Sequence, residues 1–162
     1  TTNAIGVKLG PSVQPEDIVH LTRVLNHRNE PGKLSFIFRF GLDKIDTASV
    51  IVDAVSRYAP DSLIISDPCH GNTIETTNTK NQLQKTRIVK DMIQEVIALS
   101  DMCRMGGMKL HGLHLEAVAM RPHKKQCIEY RGDIPNDVSD VDPQLNLVQL
   151  EKLLTVTKKY LL

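Results

Sequence analysis

Four times along this chain a short β-rich run gives way to a longer stretch of helical periodicity, and that alternation restricts the folds open to it more than any other feature. Residues 5–9 form a strand candidate closed by Gly10-Pro11. Gln14-Pro15-Glu16-Asp17 then opens a helix through about residue 26, with Pro in the first turn and acidic residues at the positive end of the helix dipole. Residues 34–40 form the second strand, ended by Gly41, and residues 46–58 the second helix. Residues 62–66 are a near-continuous apolar run of the kind buried in parallel sheets. A polar loop over 67–80 leads to a helix over about 84–99, with Ile88, Met92, Val96 and Leu99 aligned. The fourth strand is expected over 108–118. Residues 121–140 are polar and weakly patterned, and a last helix runs over about 145–161, its start marked by Asp142-Pro143. Such alternation is the signature of parallel α/β structure. Without an internal sequence repeat, four units fit either a small open sheet or half of an eightfold barrel.

The length, 162 residues, fits one domain with a sizeable core. Twenty Lys and Arg against 19 Asp and Glu leave no charge excess for a polyanion surface, so any basic site must be local. Aromatics make up 4% and Trp is absent, which argues against stacking platforms for single-stranded nucleic acid. Cys69, Cys103 and Cys127 are widely spaced and read as reduced thiols of a cytoplasmic protein. No apolar run approaches the roughly 18 residues of a membrane span. The opening Thr1-Thr2-Asn3-Ala4 is no signal peptide, and a chain that starts without Met and meets a strand at once reads as processed or as a piece of a longer one.

In both folds, functional groups gather at the carboxyl ends of the strands. The first strand offers Lys8 and the second Arg39. The third ends in Asp67-Pro68-Cys69-His70-Gly71-Asn72-Thr73. The fourth carries His111, His114 and Glu116, and Asp140 and Asp142 precede the last helix. Either cation alone reads as half of a structural ion pair, since a buried charge is rarely left unpaired. Two on neighbouring strands at one rim suit an anion, Arg39 gripping it with two bonds and Lys8 acting as a point charge. His70, Glu116 and Asp142 combine an imidazole with two carboxylates, a set suited to Mn²⁺, Fe²⁺, Co²⁺ or Zn²⁺. His70 alone reads first as a loop histidine capping a turn. Glu116 is harder to set aside, because Glu is a poor strand former and seldom buried without a partner. His114, on the same face two residues earlier, offers a further ligand, although a role supporting the ligands is the preferred reading. Cys69 adjoins His70, but neighbouring strand residues point opposite ways, so joint ligation is not expected.

Several of these segments match a known pattern. Ile5-Gly6-Val7-Lys8-Leu9-Gly10-Pro11-Ser12 resembles the "GVKxGPS" segment of type II 3-deoxy-D-arabino-heptulosonate-7-phosphate (DAHP) synthases. Asn29-Glu30-Pro31-Gly32-Lys33-Leu34 is similar to the family's "NEPGRL", and Arg39 with Gly41 to its "RxG". Asp67 through Thr73 resembles "DPMHGNT", Lys85-Thr86-Arg87 "KTR", Gly112 through Glu116 "GGVHLE", and Asp142 through Asn146 "DPRLN". The matches run in family order over nearly the whole chain. Departures occur after Glu116, where the sequence reads Ala117-Val118-Ala119-Met120-Arg121-Pro122, at Gln144 in place of an arginine, and in the approach to Lys85. They bear on the sugar-phosphate end of the site more than on the metal or the enol substrate.

The resemblance implies an α/β fold in which residues 1–162 are the C-terminal half, four β/α units, of a (β/α)₈ TIM barrel. It implies that Lys8 and Arg39 bind phosphoenolpyruvate, and that His70, Glu116 and Asp142 are three of four ligands to a divalent metal, Mn²⁺ or Co²⁺ first. The fourth, a cysteine, belongs to the family's first strand. Lys8, Arg39 and His70 would then serve the condensation of phosphoenolpyruvate with erythrose 4-phosphate, a sugar-phosphate aldehyde, at the first step of the shikimate route to aromatic amino acids. Two alternatives stand beside it: a divergent homologue using another aldehyde, and a non-catalytic half-barrel acting by association. A half-barrel leaves strand edges and an apolar face open, so the segment is expected to self-associate or pair with an N-terminal half, and to be inactive alone. Neither a nucleic acid nor a membrane is expected as a partner.

Overall fold

The computed structural model describes residues 3–78, 81–119, 123–137 and 141–161. Four parallel strands, β1 (Ile5–Leu9), β2 (Leu34–Phe38), β3 (Leu63–Ser66) and β6 (Gly112–Leu113), form one sheet in the order β1-β2-β3-β6. The pleat sorts their side chains. Leu9, Leu34, Phe36, Phe38 and Ile64 are buried on one face, while Gly6, Lys8, Ser35, Ile37 and Ile65 lie on the other and none of them is fully buried. The buried face meets Ile18 of α1 (Pro15–Leu25), Ile51, Val52 and Val55 of α2 (Ser49–Tyr58), and Val96 and Leu99 of α3 (Val89–Met105). Cys103 closes this core at the far end of α3. A smaller cluster of Cys69, Val89, Met92, Cys127, Leu145 and Leu153 seats α4 (Leu147–Thr157) against α3.

Local chemistry fixes the element ends. Pro15 opens α1 just after Gln14, whose amide donates to the Asp17 carboxylate at 2.9 Å. The second helix is preceded by a 3₁₀ turn over Leu42–Ala48, so it starts later than its apolar periodicity suggests. The expected loop and helix over 67–99 divide differently. His70–Asn72 forms a 3₁₀ turn, and β4 (Thr73–Thr77) pairs antiparallel with β5 (Leu83–Arg87) before α3 begins at Val89. The β-branched Thr73, Ile74, Thr76 and Thr77 carry this hairpin.

The fourth strand is shorter than expected, with two residues paired to β3. The His111 ring takes over on the entry side, its Nδ1 accepting the Ile64 amide at 3.0 Å. Beyond His114, whose amide donates to the Ser66 carbonyl at 2.7 Å, the chain leaves β3 and bridges to Leu145. That bridge, with the Leu145 amide on the Glu116 carbonyl at 3.0 Å, delays the last helix. α4 therefore starts at Leu147, capped by Asn146, whose side chain accepts the Gln149 amide at 2.9 Å. The same bridge holds the Asp142–Gln144 segment beside Glu116. Asp140 and residues 120–122 lie outside the described residues. Among the described residues, no helix is long and apolar enough to cross a membrane.

Candidate active site

Lys8, Arg39 and Asp67 follow the pleat of three adjacent strands to the same rim of the open face. Lys8 Nζ lies 3.0 Å from Asp67 Oδ2. Arg39 stands just past β2, its amide donating to the Leu9 carbonyl at 2.9 Å. Its side chain is exposed, and with Lys8, Ser12, Asp17 and His20 it lines a hollow of about 400 Å³.

Asp67 is fully buried and crowded by donors. Its Oδ1 accepts the amides of Cys69 and His70, each at 3.2 Å, and its two oxygens lie 2.9 and 2.7 Å from His70 Nδ1. Burial pushes the Asp67 carboxyl up, but the hydrogen bonds from the His70 ring, Lys8 and the His70 amide outweigh it and hold it below its ordinary value. An ionised Asp67 only accepts, so Nδ1 of His70 carries a proton, and in the singly protonated ring the lone pair is then on Nε2, facing outward. Nε2 faces Glu116 Oε1 at 3.3 Å. Two acceptors at that spacing match two ligands of one ion, each about 2.1 Å from it. His70, Glu116 and the orienting Asp67 thus fit a divalent cation, with a carboxylate fixing the tautomer of the histidine ligand.

Arg87, at the end of β5, joins this set to Asp142. It is buried, and one of its nitrogens donates at 2.5 Å both to Glu116 Oε2 and to the Pro143 carbonyl. Its Nε donates to Thr73 Oγ1 at 3.0 Å, and its remaining nitrogen lies 3.6 Å from Asp142 Oδ2. Asp142 also meets Lys85 at 3.3 Å. A continuous network therefore runs Lys8–Asp67–His70–Glu116–Arg87–Asp142. His70 and Glu116 face each other directly, whereas Asp142 reaches Glu116 through the guanidinium. Among the described residues, the three metal-capable side chains whose ligand atoms all lie within 4.8 Å of one another are those of Asp67, His70 and His114, and Asp142 is not among them. His114 therefore stands closer to the set than a purely supporting residue need be. Cys69 points away into the core, where its sulfur accepts the Glu116 amide at 3.3 Å and burial raises its thiol to about 11.

A second layer ties the arms together. Gly41, after Arg39, has φ +79°, and a Cβ there would fall 2.3 Å from the Gly71 carbonyl oxygen. A Cβ on Gly71 would fall 2.2 Å from the Gly41 nitrogen. Gly71→Ala is expected to cost about 3 kcal/mol, read as a lower urea midpoint at unchanged slope, because the backbone must move. A midpoint within error of wild type would show that the two loops are free to part. Beneath this contact lies Glu95 of α3, fully buried, which accepts hydrogen bonds from the Gly41 amide at 3.1 Å and from the Asn72 side chain.

Sequence reasoning assigned no role to Asp67, Arg87 or Glu95. Asp67 and Arg87 lay inside matched motifs, and an acidic residue closing an apolar strand is itself a signal. Glu95 shares the stripe of Met92 and Leu99, and a carboxylate in an apolar stripe was the clue to it.

A model of the class-II DAHP synthetase family matches residues 1–153. A phospho-2-dehydro-3-deoxyheptonate aldolase of Streptomyces coelicolor is 36% identical over 115 residues, covering 70% of this chain and 25% of that protein. One of Neurospora crassa is 32% identical over 93% of this chain and 32% of its own length. One of Mycolicibacterium smegmatis is 31% identical over 91% of this chain and 32% of its own. The chain belongs to the class-II DAHP synthetase family. It spans about a quarter to a third of the length of these curated relatives.

Proposed function

We propose that this chain supplies the metal centre and the enol-substrate grip of a cytoplasmic DAHP synthase, as one C-terminal half-barrel segment, residues 1–162, of a (β/α)₈ barrel. The whole enzyme condenses phosphoenolpyruvate with erythrose 4-phosphate. The observation that carries the reading is the 3.3 Å approach of His70 Nε2 to Glu116 Oε1, joined through Asp67 to Lys8 on the rim that also bears Arg39.

His70 and Glu116, with Asp142 beyond Arg87, are the residues that would hold the ion, Mn²⁺ or Co²⁺ by preference and Fe²⁺ or Zn²⁺ otherwise. When bound it supplies Lewis acidity to the aldehyde carbonyl. Arg39 and Lys8 hold the anionic groups of phosphoenolpyruvate, the first through its planar fork and the second as a point charge. Asp67 keeps the Lys8 ammonium in place. So held, the vinyl carbon of the enol faces the aldehyde carbon, and positioning lowers the barrier. As the carbon–carbon bond forms, positive charge develops on the enol carbon; water adds there and inorganic phosphate leaves.

The test is phosphate release and heptulosonate formation by the full-length protein with both substrates and Mn²⁺, repeated with a chelator. Metal-independent turnover, or none at all, would overturn the reading. In that protein Arg39→Ala is expected to raise the KM for phosphoenolpyruvate roughly 10- to 100-fold, the value of a charge-assisted bond or two, and to lower kcat. An unchanged KM would remove Arg39 from the substrate site. The 162-residue segment alone is expected to give no turnover and to associate. Within the described sheet β1 and β6 are edge strands, and Ile37 and Ile65 lie half-buried on the open face.

A further inference from the structure

Glu95 is used neither to bind an anion nor to hold a metal, yet it is the most fully enclosed carboxylate on α3 and both its oxygens are taken. Oε1 accepts the amide of Gly41, two residues past Arg39; Oε2 accepts from the side chain of Asn72, two residues past His70. Asn72 repeats the pattern, its oxygen accepting the Leu42 amide at 2.9 Å and its nitrogen also reaching the Pro68 carbonyl at 2.8 Å. Directly above, the Gly41 and Gly71 backbones touch.

This is a costly way to fill a core position. The carboxylate is met by amide donors rather than by a cation, and burial pushes its carboxyl up to about 7 against the pull of the Gly41, Asn72 and Phe40 donors. An apolar side chain of like volume would avoid that desolvation but leave the Gly41 amide and the Asn72 side chain without their acceptor, so the carboxylate is what holds donors of the two loops together.

We propose that Glu95 is a positioning residue that locks the Arg39 loop to the His70 loop and so fixes the distance between the anion grip and the metal centre. The inference rests on the functional reading above. It predicts that loosening this lock degrades two binding events made by residues Glu95 itself does not touch.

Glu95→Gln in the full-length protein is the probe, because it keeps the volume and one accepting oxygen. Its new N–H₂ faces either the Gly41 amide or Asn72, and Asn72 cannot turn over without abandoning both Leu42 and Pro68. Leu99→Ala, on the same helix and in the core, serves as the control for destabilisation alone. Both are compared with wild type at a fixed interval below their own Tm, reading Mn²⁺ affinity by calorimetry, KM for phosphoenolpyruvate and kcat. Glu95→Gln is expected to weaken Mn²⁺ binding about 10-fold, raise KM several-fold and lower kcat on the order of 10-fold or more. Leu99→Ala is expected to stay within about twofold on all three, the size of a change that reaches the site through stability alone. Glu95→Gln values matching wild type, or matching those of Leu99→Ala, would overturn the proposal. Should wild type bind Mn²⁺ but show no synthase turnover, the functional reading fails while the Mn²⁺ comparison still decides Glu95.

Discussion

Replacing His70 with Ala in the full-length protein is expected to weaken Mn²⁺ binding at least about 100-fold and to lower turnover about 10³-fold. The affinity figure exceeds the 10- to 100-fold typical of losing a group that merely supports a ligand. The rate figure is what several kcal/mol of lost carbonyl polarisation amounts to. His70 is singled out because its environment leaves it little other purpose. A buried, ionised Asp67 occupies one ring nitrogen, and the other lone pair is aimed at a second acceptor. Asp67→Asn should give the smaller, supporting-group effect, since the ring stays present but its tautomer is no longer dictated. Calorimetric titration with Mn²⁺ separates the two. An affinity for Mn²⁺ that survives His70→Ala intact would remove His70 from the metal ligands and shift attention to Asp67 with His114.

Arg87→Ala is expected to destabilise the protein by about 3 kcal/mol, with a fall in Tm of several degrees. The guanidinium is buried and serves Glu116, the Pro143 carbonyl, Thr73 and Asp142 at once. Without it, the Pro143 carbonyl and one Glu116 oxygen lose their donor and two carboxylates are left with no cation between them. Glu116 is part exposed, 28% for its side chain, so water softens the loss and the low end of the range for a broken buried pair applies. Arg87→Lys should recover little, because one ammonium cannot span partners that lie in different directions. Urea denaturation read at 222 nm measures both variants; equal midpoints for wild type and Arg87→Ala would mean that the network contributes nothing to folding.

How far the sequence reaches is clearest where its rules compete. β1, β2 and β3 follow from short apolar runs bounded by Gly, Pro and Asp, and the structure places them within a few residues of expectation. The hairpin of β4 and β5 was hidden because its threonines read as polar loop while their β-branching suits a strand. The fourth strand and last helix shifted together, since the Ala117–Leu145 bridge takes residues that periodicity alone would divide between them. At the site, strand-end position predicted that Lys8, Arg39, His70, Glu116 and Asp142 would share a rim. It could not predict that an arginine from the hairpin would stand between Glu116 and Asp142, because that depends on a pairing made across 29 residues of chain. Glu95 was legible in principle, as the odd charge in an apolar stripe, but its partners come from two loops whose approach only the fold defines.

The three cysteines give the folded chain a built-in clock. Burial raises the Cys69 thiol to about 11 and those of Cys103 and Cys127 to about 12, and the thiolate is the form that reacts with alkylating reagents. All three are also fully buried, so at neutral pH each reacts when the structure around it opens, and its labelling rate measures how often that happens. Cys69 sits behind the His70 loop, Cys103 at the end of the helical layer and Cys127 in the cluster that seats the last helix. Mass-resolved labelling would thus time the breathing of three separate regions in one tube, with no label engineered in.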